Sequence, residues 1–232
     1  MHATHVCTHP LVENWLTRMR DRTCVPEQFR AHLRDVATFL TYELMATLPP
    51  ALAWAARPIV TPVTPMPQAR SLIGRAPVIV PDLRAGLVMA EAVHALLPTA
   101  EIGHIGLQRT APGAAPAEYF TKIPDLTDRL VILVDPMIAT ASTAIHAVEI
   151  LLAAGADFDN LRMMALLASH AGVTALAARF PMLRIHIAAI DGEGDSGGGL
   201  NEKSYIVPGL GDAGDRAFGA APDAGSGVEH AL

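Results

Sequence analysis

Residues 129–155, RLVILVDPMIATASTAIHAVEILLAAG, decide the fold. The stretch begins with a continuous apolar run of strand length, residues 130–134. Apolar residues then recur at helical spacing until Gly155, at Ile145, Val148, Leu151 and Leu152. A strand that turns at once into a helix leaves the first amide groups of the helix unpaired at the carboxyl end of the strand. The stretch therefore predicts a strand, a helix and an anion site between them.

The same alternation continues on both sides of this stretch. Helical patterns over residues 87–97 and about 172–179 separate further apolar strands. Strands that alternate with helices predict an α/β fold with a parallel sheet that is covered on both faces. In such sheets ligands bind at the carboxyl ends of the strands. The five predicted strands are residues 78–83, 101–108, 130–135, 161–168 and 185–190.

Composition limits the kind of protein. The 232 residues are 51% hydrophobic and 17% charged, which suits one large domain with a substantial core. A net charge of −6 argues against a general nucleic-acid surface. The start of the chain lacks the pattern of a signal peptide and no apolar run reaches about 18 residues, so we expect a cytoplasmic protein. Two cysteines and scattered histidines without a paired spacing favour free thiols and no protein metal site.

The amino-terminal third predicts two helices and an arm. Residues 9–47 carry two helical segments, and the second follows Pro26, a residue suited to the first turn of a helix. Residues 48–70 contain six prolines, which cannot serve a central strand. We therefore expect this segment to form an extended arm or an edge hairpin outside the main sheet.

The turn in the first stretch, residues 135–143, DPMIATAST, resembles the phosphoribosyl-pyrophosphate (PRPP) loop of uracil phosphoribosyltransferases. The family pattern is V-D-P-M-x-A-T-G-G-[ST], and Ala141 and Ser142 replace its two glycines. The resemblance implies that the Asp holds the ribose hydroxyls and that the loop cradles the 5-phosphate. The PRPP-binding residues implied here are Asp135, Pro136, Met137, Ile138, Ala139, Thr140, Ala141, Ser142 and Thr143.

Two more strand ends carry sequence motifs that resemble those of this family. Residues 81–87, PDLRAGL, are similar to P-x-L-R-A-G-L, whose arginine meets the pyrophosphate, and Asp82 stands where the family has an apolar residue. Arg109 is followed by a loop rich in Ala, Pro and Gly and then by YFTKIP, which resembles the mobile loop that closes over PRPP. Thr110 and Ala111 replace the family's acidic residues. The resemblance implies roles in PRPP binding and catalysis for Arg84 and Arg109.

The most specific motif of the sequence is residues 205–216, YIVPGLGDAGDR. A short strand followed by a glycine-rich turn leaves bare backbone that can approach a flat ligand closely. The word is nearly the uracil-binding signature of the family. It implies backbone contacts to the base from Ile206, Gly211 and Ala213, with Asp212 near both the base and PRPP. The preceding residues 191–200, DGEGDSGGGL, are interpreted as a flexible insertion.

Together these words imply a type I phosphoribosyltransferase fold, with a five-stranded parallel sheet, flanking helices and a small hood. We predict one domain over residues 1–219, with an arm at 9–70, a core at 76–190 and a hood with the base loop at 191–219. Residues 220–232 are expected to be a disordered tail. The implied reaction transfers 5-phosphoribosyl from PRPP to uracil, giving UMP and pyrophosphate. Mg²⁺ bound mainly through PRPP and a homodimer or larger assembly are also implied, with catalytic roles for Arg84, Arg109, Asp135 and Asp212.

Two alternative functions follow from the positions at which this sequence differs from the family patterns. Lys203 and Ser204 stand where the family usually has His-Gly before the base loop, which leaves open another pyrimidine-like acceptor. The altered phosphate loop, Asp82 and the residues after Arg109 leave open a non-catalytic homologue that binds a nucleotide or a partner.

Overall fold

A computed structural model describes residues 4–47, 49–108, 116–192 and 199–219. Both amino-terminal helices are present, and the helix that follows the central turn begins at Ser142. The expected tail, residues 220–232, and residues 193–198 of the expected insertion lie outside the described residues. The helices are α1 (Pro10–Arg20), α2 (Pro26–Ala46), α3 (Gly86–Leu96), α4 (Ser142–Ala153), α5 (His170–Arg179) and α6 (Ala213–Phe218).

The strands that form the main sheet run parallel to one another. Those on its path are, in spatial order, β1 (Thr4–Val6), β11 (Arg184–Asp191), β10 (Leu161–Ser169), β8 (Val131–Val134), β4 (Val78–Pro81) and β5 (Glu101–Ile102). A short strand, β9 (Met137–Ile138), pairs with β10 beyond the end of β8. The three remaining pairs are β2 (Leu52–Val60) with β3 (Pro65–Gly74), β6 (His104–Gln108) with β7 (Ala117–Lys122), and β12 (Gly199–Leu200) with β13 (Ile206–Val207).

The five predicted strands are present, with one change and two additions, so the sheet has seven strands among the described residues. Residues 101–108 form two strands instead of one, because β6 leaves the sheet after Gly103 and pairs with β7 in an antiparallel ribbon. A single bridge between Asp82 and Ile105 keeps this ribbon beside β4. The additions are β9, whose two residues pair with β10, and β1, whose three residues pair with β11 at the edge of the sheet. A strand of that length has too few residues to show a period.

Two hydrophobic clusters cover the two faces of the sheet. One packs α1, α2, α3 and α6 against residues such as Ile79, Ile132 and Met164. The other packs α4 and α5 against alternate residues of the same strands, including Val80, Leu133 and Met163. Both faces are therefore buried, which explains why the central strands read as continuous apolar runs.

The proline-rich segment forms a hairpin, as predicted. β2 and β3 pair only with each other among the described strands, and most of their side chains are exposed. The exposed apolar side chains of the hairpin are Trp54, Ile59, Val60, Val63, Met66, Leu72 and Ile73. Among the described residues, every helix is too short or too polar to cross a bilayer.

A buried carboxylate joins the amino-terminal helices to the carboxyl end of the sheet. Asp191, at the end of β11, accepts two hydrogen bonds of 2.7 Å from the guanidinium of Arg20. It also accepts one of 2.9 Å from the amide of Gly209, and Arg20 donates to the Gly209 carbonyl at 2.8 Å. Arg216 donates to the carbonyls of Leu210 and Met19. The loop between β13 and α6 is thereby fixed to α1.

We expect Asp191→Ala to lower the free energy of unfolding by about 3 kcal/mol, because removing one partner of a buried ion pair leaves the other uncompensated. The figure is at the low end for buried pairs since Arg20 keeps 26% of its side chain exposed, against 8% for Asp191. Urea denaturation measures the change. Glu149→Ala is the matched control, because its 2.7 Å pair with Arg179 is exposed and should contribute below about 1 kcal/mol. Equal losses of unfolding free energy in the two variants would contradict the assignment of Asp191 and Arg20 as a stabilising buried ion pair.

Candidate active site

An open cavity of about 530 Å³ lies at the carboxyl ends of β4 and β8. The turns after these strands form its floor, and the segment from Lys203 to Asp215 forms one wall. The position agrees with the rule that ligands bind at the carboxyl edge of a parallel sheet. Its lining residues are Asp82, Leu83, Arg84, Ala85, Leu107, Gln108, Asp135, Pro136, Met137, Ala139, Thr143, Lys203, Ser204, Tyr205, Ile206, Gly211, Asp212, Ala213, Gly214 and Asp215.

The turn after β8 forms a recess that opens beside the cavity. The Oδ1 atom of Asp135 accepts a hydrogen bond of 3.1 Å from the amide of Met137, which fixes the start of the turn. The hydroxyls of Thr140 and Ser142 lie 3.0 Å apart at the start of α4. The recess is lined by Asp135, Met137, Ala139, Thr140, Ala141, Ser142, Thr143 and Ala144. Hydroxyls and helix-terminal amides together are the donors that a phosphate group requires.

Ala141 precedes α4 in a left-handed conformation, with φ 65° and ψ 0°. For a residue with a β-carbon this conformation costs roughly 1–2 kcal/mol, and the family pattern has a glycine at this position. This cost is part of the free energy of folding.

The turn is supported from below by the start of α5. The hydroxyl of Ser169 donates to the carbonyl of Ala139 at 2.6 Å and accepts from the amide of Gly172 at 2.8 Å, so it caps α5 while holding the turn. A β-carbon at Gly172 would lie 2.5 Å from the carbonyl oxygen of Ala139 and 2.7 Å from that of Ile138. Glycine is required here by the close approach of the two segments.

The wall from Lys203 to Asp215 has a backbone whose shape is fixed by a glycine and by a side-chain-capped turn. Gly209 has φ +60°, and a β-carbon there would lie 2.0 Å from the carbonyl oxygen of Ile206. Before the loop, the Oδ1 atom of Asn201 accepts from the amides of Lys203 at 2.9 Å and Tyr205 at 3.0 Å. These bonds fix a tight turn in which Ser204 has φ 63°. The loop therefore presents a fixed main-chain edge to the cavity.

Two acidic side chains at the start of α6 have separate partners. Asp212 accepts from the amide of Asp215 at 2.9 Å and so caps the helix. Asp215 accepts a hydrogen bond of 3.3 Å from Nη2 of Arg84, whose peptide bond with Leu83 is cis. Both side chains of this ion pair are about half exposed, so the pair is weak and an anion in the cavity can compete for Arg84.

Asp82 is an ionisable group of the cavity with an unusual pKa. Burial, and secondly the neighbouring carboxylate of Asp135, raises the pKa of Asp82 to about 8. The backbone amides of Leu107 and Leu83 act in the opposite direction but do not offset this. At neutral pH Asp82 is therefore mainly a neutral acid.

The structure brings most of the predicted site residues to one place. Ten of them line the cavity: Arg84, Asp135, Pro136, Met137, Ala139, Thr143, Ile206, Gly211, Asp212 and Ala213. Thr140, Ala141 and Ser142 line the recess beside it. The side chain of Ile138 lines neither, because it is buried in the core. Arg109 and the rest of residues 109–115 lie outside the described residues.

Several lining residues were not among the predicted site residues. Asp215 follows Asp212 by one helical turn and Gln108 directly precedes Arg109, so proximity in the sequence was a usable signal for both. For Asp82 the signal was the departure from an apolar residue. Lys203, Ser204 and Tyr205 enter the cavity because the Asn201 turn directs them there, which their sequence does not indicate.

Comparison with known proteins agrees with this geometry. A family model described as uracil phosphoribosyltransferase matches residues 6–220. The chain belongs to the uracil phosphoribosyltransferase family. A uracil phosphoribosyltransferase of Caulobacter sp. (strain K31) is 45% identical over 220 residues, which cover 94% of this chain and 99% of that protein. One of Ralstonia pickettii (strain 12J) is 40% identical over 214 residues, covering 92% and 94%.

A solved structure has the same fold. The AQ2163 protein from Aquifex aeolicus superposes with a TM-score of 0.82 at 25% identity, over 94% of this chain and 99% of that one. The chain is thus an α/β protein of the phosphoribosyltransferase type and an enzyme of the uracil phosphoribosyltransferase family.

The left-handed residue of the recess gives a prediction about stability. Ala141→Gly should raise the free energy of unfolding by up to about 1 kcal/mol, because relief of the positive φ exceeds the added freedom of the unfolded chain. Ala31→Gly is the matched control. Ala31 is exposed inside α2, where the same change should cost about 1 kcal/mol. Urea denaturation measures the free energy of unfolding of both variants. A loss of stability in both would show that Ala141 is not strained.

Proposed function

We propose that this chain transfers the 5-phosphoribosyl group from PRPP to uracil, giving UMP and pyrophosphate for pyrimidine salvage. The observation that carries the proposal is the convergence of the turn after β8 and the loop before α6 on one cavity. The turn after β8 supplies hydrogen-bond donors for a phosphate, and the loop before α6 supplies a rigid main-chain edge for a base. In the reaction a ring nitrogen of uracil bonds to the anomeric carbon, the bond from that carbon to the diphosphate breaks, and the nitrogen loses its proton.

The phosphate side of the cavity supports the PRPP assignment. In this proposal the recess from Ala139 to Thr143 holds the 5-phosphate and Asp135 holds the ribose hydroxyls. Arg84 leaves its weak pair with Asp215 to meet the diphosphate. The arginine thereby stabilises the charge that develops on the leaving group. Arg109 keeps its proposed role in PRPP binding and catalysis.

The base side supports uracil as the acceptor. In the proposal the main chain of Ile206, Gly211 and Ala213 pairs with the edge of the ring, which requires the fixed backbone described above. In the proposal Asp212, which also lines the cavity, lies near both the base and PRPP. Holding the base and PRPP in one orientation is the main contribution asked of the protein.

Magnesium enters the proposal with the substrate. Mg²⁺ retains several waters and is commonly bound through substrate phosphates with few protein ligands. Among the described residues no group of three or more His, Cys, Asp or Glu side chains is placed to hold a metal ion. In the proposal the ion is carried on PRPP, where it would neutralise part of the diphosphate charge.

Self-association is also part of the proposal. The hairpin β2–β3 exposes apolar side chains along its length, among them Val63 at 91% and Val60 at 79%. An exposed apolar surface of this kind is typical of an interaction surface, and a second copy of the chain is the occupant that we propose, in a homodimer or larger assembly. A cytoplasmic location and the single domain over residues 1–219 stay predictions of the same proposal.

The test measures pyrophosphate released from PRPP and Mg²⁺ with uracil and with a panel of other pyrimidines. We expect uracil-dependent release, and Asp212→Asn should lower kcat/KM roughly ten- to a hundredfold, the range for a hydrogen bond to a charged group. Asparagine is chosen because it also caps helices, so the fold is kept. Asp157→Asn is the matched control, since Asp157 forms a similar exposed turn before β10, at the opposite end of the sheet.

Each outcome has a distinct meaning. Pyrophosphate release with another pyrimidine but not with uracil would correct the acceptor. Absence of release with every base would contradict the proposed reaction and favour the non-catalytic alternative. A folded Asp212→Asn protein with unchanged turnover would remove Asp212 from the base site.

A further inference from the structure

Asp82 and Asp135 stand side by side at the floor of the cavity. β4 and β8 are parallel neighbours whose last paired residues are Pro81 and Val134, so the next residue of each strand is an aspartate. The amide of Asp82 donates to the carbonyl of Val134 at 2.9 Å, which keeps the two chains in register at this point. Both aspartates line the cavity. Two carboxylates therefore share the position at which the sugar and diphosphate of PRPP would lie.

The surroundings of Asp82 favour its neutral form. Its Oδ1 atom is buried and makes no hydrogen bond within the described part of the chain. An ionised carboxylate with a buried unpaired oxygen loses hydration that nothing replaces. A second carboxylate alongside adds repulsion between like charges.

The other charged groups of the cavity that belong to the described part of the chain do not reverse this preference for the neutral form. Arg84 is directed to Asp215, and Asp212 caps α6. Lys203 is an exposed residue of the wall that residues 203–215 form. Among the described residues, the charged groups that line the cavity with Asp82 are Arg84, Asp135, Lys203, Asp212 and Asp215.

We propose that Asp82 is a positioning residue: as a neutral acid beside Asp135 it keeps the pair at one negative charge, and the cavity loses affinity for PRPP when this acid ionises. The proposal rests on the proposed function, because it concerns the PRPP half of that site. PRPP carries several negative charges, so a second carboxylate charge at its binding position opposes it directly. Asp82 thereby sets an upper pH limit on substrate binding.

The sign and size of the effect follow from the ionisation. The pKa of Asp82 is raised to about 8, so the acid is neutral below this pH and ionised above it. If only the neutral form binds, the apparent affinity is reduced by the neutral fraction, which falls about tenfold between about pH 7 and about pH 9. The second ionisation of a phosphate monoester such as the 5-phosphate of PRPP has a pKa near 6, so it is about nine-tenths complete at about pH 7 and changes little in this window.

The experiment compares the wild-type chain with Asp82→Asn and Asp82→Leu. Asparagine keeps the shape without an ionisable group, and leucine branches at the same atom without polarity. Calorimetry with PRPP and constant Mg²⁺ from about pH 7 to about pH 9 should show a roughly tenfold loss of affinity for the wild type and constant affinity for both variants. Infrared difference spectra should show the carbonyl band of a protonated carboxylic acid in the unliganded wild type at neutral pH, lost at high pH and absent from Asp82→Asn.

The outcomes separate this inference from the proposed function. Equal pH dependence of PRPP affinity in the wild type and both variants would overturn the inference, as would absence of the acid band at neutral pH. Tighter PRPP binding by the wild type above about pH 8 would also overturn it, because the ionised pair would then be attracting the cation. If the acid band titrates but no protein binds PRPP at any pH, the proposed function fails and the inference fails with it.

Discussion

The carboxylate of Asp191 is the constraint on which the site depends. It ends the strand β11, and its two oxygens are shared between the guanidinium of Arg20 and the amide of Gly209. A glycine-rich loop has little apolar surface of its own to bury, so its shape must come from directed bonds. Because the same arginine also binds the Gly209 carbonyl, the loop is fixed to both the sheet and α1. The wall of the cavity that this loop forms is thus fixed in shape although its sequence is rich in glycine.

The phosphate side obtains its shape in another way. The turn after β8 lies on the start of α5, where Ser169 and Gly172 meet the carbonyls of Ala139 and Ile138. Packing of backbone against backbone leaves little freedom for the turn, and Ala141 accepts an unfavourable φ within it. Strain of this kind persists only where the surrounding structure fixes the backbone. The absence of the usual glycine therefore changes the stability of the recess more than its form.

The sequence predicted the α/β class, the strands of the sheet and the exposed hairpin, because each depends on a local pattern. Apolar runs of strand length identify buried parallel strands, and prolines exclude residues 48–70 from the sheet. β1 was missed because three residues carry no period. The turn from Ala139 to Thr143 and the loop from Ile206 to Ala213 were found from family words, and the structure places them on one cavity.

What the sequence did not show depends on contacts between distant segments. Arg20 and Asp191 are separated by 171 positions, and no local pattern links them. The adjacency of Asp82 and Asp135 follows from the register of β4 with β8, since a shift of one residue would turn one aspartate to the opposite face. The turn at Asn201 depends on side-chain hydrogen bonds to the backbone, which composition does not specify.

A crystal structure of this chain with UMP bound tests the central claim most directly. The account predicts that the nucleotide occupies the cavity at the ends of β4 and β8, with its phosphate in the recess between Ala139 and Ala144. It also predicts that the uracil ring pairs with the main chain between Ile206 and Ala213. A nucleotide bound outside this cavity, or bound in it with the phosphate against the Ile206 loop, would contradict the account.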